Sequence, residues 1–226
     1  MKVESKLKKI AICVPARDVV NTGFAYDLAM MMAHWTYKNA SNADNIMLYT
    51  SMGTLIVNQR QDLVIKALED GCTHILFLDS DMRFPKDTLC RLLAHDKPIV
   101  AGSYATRRLP VKTVAFASDE GWDCVYSTPD KMGLEAVAAV GMGCMLLNTK
   151  IFDTMTMPFF MIGYSQKTNQ FTGEDIFFCR KARSLGIDIL IDHELSRELG
   201  HLGTLEFRHD HANATLTEVN DGDSNV

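Results

Sequence analysis

Short apolar runs alternate with helical patterns through the first half of this chain. Residues 10–14 form an uninterrupted apolar run closed by Pro15, the pattern of a strand buried on both faces. Phe24, Leu28, Met31, Met32 and Trp35 recur at helical spacing, which predicts an amphipathic helix over about 23–39. A strand over 45–50, a helix over 57–70 and a strand over 74–78 follow, with Gly71 just past the helix end where glycine commonly sits. A helix over 85–94, with Pro85 in its first turn, and a strand over 98–102 complete the series. This β-α-β-α-β rhythm predicts an α/β fold, a mainly parallel sheet with right-handed crossovers and flanking helices.

The second half is less regular. Residues 113–117 and 136–140 read as strands. Gly141-Met142-Gly143 reads as a tight turn or bulge entering a strand that starts at Cys144. Those glycines lack the G-x-G-x-x-G spacing of a dinucleotide loop, and no helix opens after them. A helix over 173–185 ends at Gly186, and a short strand covers 188–191. No repeat or linker divides the chain, so a single domain over 1–212 with a polar tail over 213–226 is expected.

Composition narrows the class without choosing a function. The 226 residues suffice for one domain with a sizeable core, and 47% hydrophobic with 23% charged residues is ordinary for a globular protein. A net charge of −5 argues against nucleic acid as a partner, since Lys6, Lys8 and Lys9 form only a short basic lead-in. The six cysteines show no C-x-x-C pair or metal-ligand spacing and read as reduced thiols of a cytoplasmic protein. No apolar stretch reaches the roughly 18 residues of a membrane span, and no signal peptide opens the chain. The many methionines read as core filler.

Three clusters bear chemistry. Asp79-Ser80-Asp81 directly follows the apolar run 74–78. Open α/β sheets bind ligands beyond their strand ends, and hard divalent cations are held by one or two carboxylates plus substrate phosphates. The triplet therefore reads either as a metal-diphosphate holder or as a solvated acidic turn capping the next helix. Thr172-Gly173-Glu174-Asp175 places two acids on the first turn of a helix. Thr172 and Asp175 have capping-box spacing, and a carboxylate fixed there can also accept a proton from an attacking hydroxyl. Leu199-Gly200-His201-Leu202-Gly203 puts a histidine between glycines that let backbone approach a bound group. His209 and His211 are competing ligands in a more polar stretch.

These residues occur in an order that resembles the GT-A glycosyltransferases. The order runs Val14-Pro15-Ala16-Arg17, Asp79-Ser80-Asp81, Val140-Gly141-Met142-Gly143-Cys144, Gly173-Glu174-Asp175 and Gly200-His201. Over about residues 8–205 the chain is similar to a small member of the glycosyltransferase family 2-like group. It departs from that pattern in ending its first strand with Pro-Ala-Arg rather than Pro-x-Tyr-Asn. It also opens its late helix with Gly-Glu-Asp rather than Thr-Glu-Asp.

The resemblance implies a GT-A fold and a metal-dependent transfer of sugar from a nucleotide-diphosphate donor to an acceptor hydroxyl, with inversion. A retaining transferase, a sugar nucleotidyltransferase and an inactive nucleotide-sugar binder are the alternatives. Asp81 and His201 would hold Mn²⁺ or Mg²⁺, and Asp79 the ribose or a metal-bound water, with Ser80 between the two acids. Pro15, Ala16 and Arg17 would line the nucleoside pocket. Asp175 would be the base and Glu174 would orient the acceptor. The donor would be a UDP-sugar, with a GDP-sugar as the second choice, and the acceptor a carbohydrate, a lipid-linked group or a protein. Arg60 is either a base or phosphate contact or a surface arginine. Arg107 and Arg108 read as a solvated loop or as a contact to phosphate or acceptor.

Overall fold

The computed structural model describes residues 7–39, 44–118, 123–166 and 169–204. The polar tail and the competing residues His209 and His211 lie outside these residues. In chain order the elements begin with β1 (Lys9–Ala16), α1 (Thr22–Lys38), β2 (Asn45–Met52), α2 (Ile56–Glu69) and β3 (His74–Leu78). Next come β4 (Met82–Arg83), α3 (Thr88–Ala94), β5 (Ile99–Ala101), β6 (Ala115–Phe116), β7 (Leu134–Val137), β8 (Ala139–Val140) and β9 (Cys144–Asn148). A 3₁₀ turn (Thr149–Asp153), β10 (Gly163–Ser165), β11 (Gln170–Thr172), α4 (Glu174–Ser184), β12 (Ile189–Asp192), α5 (His193–Glu198) and β13 (Gly200–His201) complete the series.

A seven-stranded sheet in the order β2-β1-β3-β9-β5-β12-β7 forms the centre. Five of its strands run one way; β9 and β7 run against them. The expected α/β architecture, a mainly parallel sheet between helices, is the architecture observed.

The apolar runs are continuous because both sheet faces are covered. Along β1, Ala11 and Cys13 point to one core with Leu63, Val64 and Ala67 of α2 and Phe178 and Ala182 of α4. Ile10, Ile12 and Val14 point to the other, with Phe24, Met31 and Trp35 of α1 and Leu89 and Leu92 of α3. Gly71 and Gly186 take positive φ (69° and 76°) past the ends of α2 and α4, where a side chain would strain the backbone.

Three expectations change. The predicted helix 85–94 starts only at Thr88, because the Pro85 carbonyl accepts both the N–H and the hydroxyl of Thr88 in a preceding turn. The capping box at Thr172 does not form: Gly173 is the N-cap, and Asp175 bonds the N–H of Ile176 at 2.7 Å. The strand predicted over 136–140 is two strands. Ala138 turns the chain out of the main sheet (β7) into a small pairing with β6 (β8).

Candidate active site

The C-terminal ends of the parallel strands meet at one edge of the sheet, where such folds place ligands. β1 brings Pro15, Ala16 and Arg17 there, and β3 brings Asp79-Ser80-Asp81. Because β9 runs backwards beside β3, with Cys144 opposite Leu78, the turn Gly141-Met142-Gly143 reaches the same edge. Its Gly143 carbonyl accepts the Asp79 N–H at 3.0 Å. A pocket of about 580 Å³ opens here. Ten of the residues singled out from the sequence line it: Pro15, Ala16, Arg17, Arg60, Asp79, Ser80, Asp81, Glu174, Asp175 and His201; Arg108 does not.

Arg60 is no surface arginine. It projects from the packed face of α2, is 3% exposed, and lies over the Phe77 ring with Cζ 5.4 Å from the centroid. Nη2 donates to Asp79 at 2.8 Å and Nε donates to Glu174 at 3.0 Å. One buried guanidinium thus ties the acidic triplet after β3 to the acidic start of α4, using the planar fork that lysine lacks.

Asp175 is left without that pairing. Burial, then the neighbouring Glu174 charge, push its carboxyl up to about 6, against the opposing pull of the Ile176 N–H and Arg60. Gly173 permits this arrangement, since a Cβ there would stand 2.6 Å from Asp175 Oδ1.

His201 reaches the site through a pairing of only two residues a side. β13 runs antiparallel to β4, with His201 opposite Met82, and the Leu202 N–H donates to the Asp81 carbonyl at 2.8 Å. His201 Nδ1 lies 2.9 Å from the Ala105 carbonyl, which holds the ring with its Nε2 toward Asp81 Oδ1, 3.5 Å away. Burial opposes ionisation of Asp81, but the contacts with His201 and then Arg107 outweigh it and hold its carboxyl below the ordinary value.

The donor set suits a cation that keeps part of its shell for others. Among the described residues no group of three or more His, Cys, Asp or Glu converges as a metal cage. A carboxylate oxygen and an imidazole nitrogen 3.5 Å apart leave most positions to water or phosphate, as Mg²⁺ and Mn²⁺ prefer. The pocket lining also carries four carboxylates (Asp79, Asp81, Glu174, Asp175) against three guanidinium groups (Arg17, Arg60, Arg107).

No family model and no curated protein matches this sequence. Solved structures do. A197 from STIV superposes with a TM-score of 0.54 at 13% identity, over 89% of this chain and 97% of A197. A β-1,4-galactosyltransferase 7 variant from Drosophila, solved with manganese, UDP-Gal and xylobiose, gives 0.49 at 14% identity, over 88% of this chain and 72% of that one. A 4-diphosphocytidyl-2C-methyl-D-erythritol synthase gives 0.44 at 14% identity, over 93% and 98%. At such identity the likeness to A197 is one of fold alone.

Two residues of the site had weak signals in the sequence. Arg107, read first as part of a solvated loop, donates through Nη1 to Asp81 Oδ2 and to the Leu202 carbonyl at 3.2 Å. Tyr104 lies just past the strand predicted over 98–102. Its buried hydroxyl accepts the Gly143 N–H at 3.1 Å, and its ring meets His201 edge-on with centroids 5.1 Å apart. Burial, then the charges of Asp79 and Asp175, keep that phenol protonated far above its ordinary range. Gly141 and Gly143 make room for it: a Cβ on either would come within 2.8 Å of a Tyr104 atom. The two glycines were the available signal, but their partner lies in a distant part of the chain.

Proposed function

We propose that this protein is a metal-dependent glycosyltransferase that takes a nucleotide-diphosphate sugar as donor and a hydroxyl as acceptor, with inversion. One observation supports the reading above others. The acidic triplet that ends β3, a histidine directed at its second aspartate, and a carboxyl poised near 6 line the same pocket at the sheet edge.

Pro15, Ala16 and Arg17 line the nucleoside end, and Asp79 meets the ribose or a cation-bound water. Asp81 and His201 would hold a divalent cation, whose positive charge would stabilise the departing diphosphate. Arg107, paired with Asp81 in the free protein, is placed to exchange that carboxylate for a phosphate oxygen. Asp175 takes the proton of the acceptor hydroxyl as its oxygen attacks the anomeric carbon. The bond from that carbon to the diphosphate oxygen breaks, and the nucleoside diphosphate leaves with the electron pair. A carboxyl near 6 is ionised at neutral pH yet basic enough to help, which is the compromise a general base requires. Glu174, fixed by Arg60, orients the acceptor.

Calorimetric titration with UDP, GDP, ADP and dTDP, each with and without Mn²⁺, tests the reading. One nucleotide binds wild type only with Mn²⁺, and Asp81→Ala loses that binding while staying folded. Absence of binding by all four, with metal present, refutes the donor site.

A further inference from the structure

A second cleft shares two walls with the candidate active site. It measures about 640 Å³ and is lined by Arg108, Lys112 and Phe171 among others. The first shared wall is the loop after β5. Its Thr106 N–H bonds the Lys112 carbonyl at 2.7 Å and its Val114 N–H bonds the Tyr104 carbonyl at 3.1 Å, closing a narrow hairpin. Tyr104 and Arg107 of that hairpin line the active-site pocket, whereas Thr106 and Arg108 line the cleft. The second shared wall is the segment entering α4: Gln170 and Phe171 line the cleft, and Glu174 and Asp175 line the pocket. The cleft and the pocket are therefore bordered by the same two segments of chain, one of which carries the residue read as the base.

The lining has a distinct chemistry. Phe171 is 74% exposed and leans on the Tyr164 ring with centroids 5.1 Å apart, a supported apolar platform facing solvent. Sugar rings present C–H faces to such platforms. Arg108 and Lys112 are the charged side chains of the lining, and no carboxylate among the described residues joins them. In a chain of net charge −5 this local excess of positive charge selects for anions.

We propose that this cleft is the acceptor subsite and that it takes a carbohydrate bearing a carboxylate or a phosphate. The proposal rests on the glycosyl-transfer reading for its role, and on the cleft's own lining for its ligand class. Arg108 and Lys112 engage the anionic group while Phe171 supports a sugar ring.

Titration of the full chain with digalacturonic acid, galactose 6-phosphate and lactose, followed by NMR, tests it. Wild type binds at least one anionic probe about tenfold more tightly than lactose, the size expected of two solvent-exposed ion pairs. Whichever anion shows the preference distinguishes carboxylate from phosphate. The R108Q/K112Q variant loses that preference, keeps its melting temperature, and still binds nucleotide with Mn²⁺ as wild type does. Phe171→Ala weakens all three sugars alike. Equal binding of lactose and both anions, a preference surviving in R108Q/K112Q, or no binding of any probe while nucleotide binds, each overturns the subsite and leaves the transferase reading standing. Anion preference without any nucleotide binding overturns the transferase reading and leaves an anionic-sugar site.

Discussion

Replacing Asp175 with Asn should stabilise this protein while abolishing transfer. The substitution keeps shape and hydrogen bonding, since the amide oxygen still accepts the Ile176 N–H that Asp175 Oδ1 accepts at 2.7 Å. What changes is charge. The folded protein holds this carboxyl at about 6 against an ordinary 3.8, because burial and then Glu174 oppose its ionised form. At 1.36 kcal/mol per pH unit, ionisation at neutral pH costs the fold about 3 kcal/mol. The sign follows from proton affinity. The folded state binds this proton more tightly than the unfolded chain, so the cost is absent below about pH 4 and complete above about pH 6. Urea denaturation at about pH 7.5 should show Asp175→Asn more stable than wild type by about 3 kcal/mol, roughly 1 M or more in midpoint. At about pH 4 the two should coincide. Under the proposed mechanism the wild-type kcat/KM also rises with pH through about 6, whereas the variant has no turnover to titrate. Equal stabilities at about pH 7.5, or a gain unchanged at about pH 4, would show that the folded site does not strain this carboxylate.

Two further substitutions probe the frame around it. Arg60→Gln removes the buried partner of Asp79 and Glu174, and should cost about 3–5 kcal/mol in urea denaturation because two carboxylates lose their counter-ion. Arg60→Lys should recover only part of that, since an ammonium cannot serve both acids with one planar fork. Gly143→Ala places a Cβ 2.8 Å from the Tyr104 ring and hydroxyl, and should lower stability by about 1–3 kcal/mol. Displacement of Tyr104 should also weaken Mn²⁺-dependent nucleotide binding in the same calorimetric assay, and unchanged values on both counts would contradict the close packing described.

By itself the amino-acid sequence determined the alternating elements of the first half and the residue types that gather at the pocket. The runs 10–14 and 74–78 lie in strands because apolar residues on successive positions suit a sheet covered on both faces, whereas 45–50 lies in the edge strand β2, which buries none of its residues. Glycine past α2 and α4 marked their ends for a backbone reason that needs no tertiary partner. The candidate site residues were legible as types in order, since acids after an apolar strand or at a helix start stand out against their neighbours. Tertiary structure alone decided which of them meet and in what state. Nothing local reveals that β9 runs backwards between β3 and β5, because an apolar strand pairs in either direction. Nor does it reveal that Arg60 is buried between two carboxylates, or that Arg107 pairs with Asp81, because ion pairs join residues that only folding brings together. The raised carboxyl of Asp175 belongs to the same class. It arises from burial and the Glu174 charge acting together, and both the depth of that burial and the counter-pull of Arg60 exist only once α2, β3 and α4 have packed.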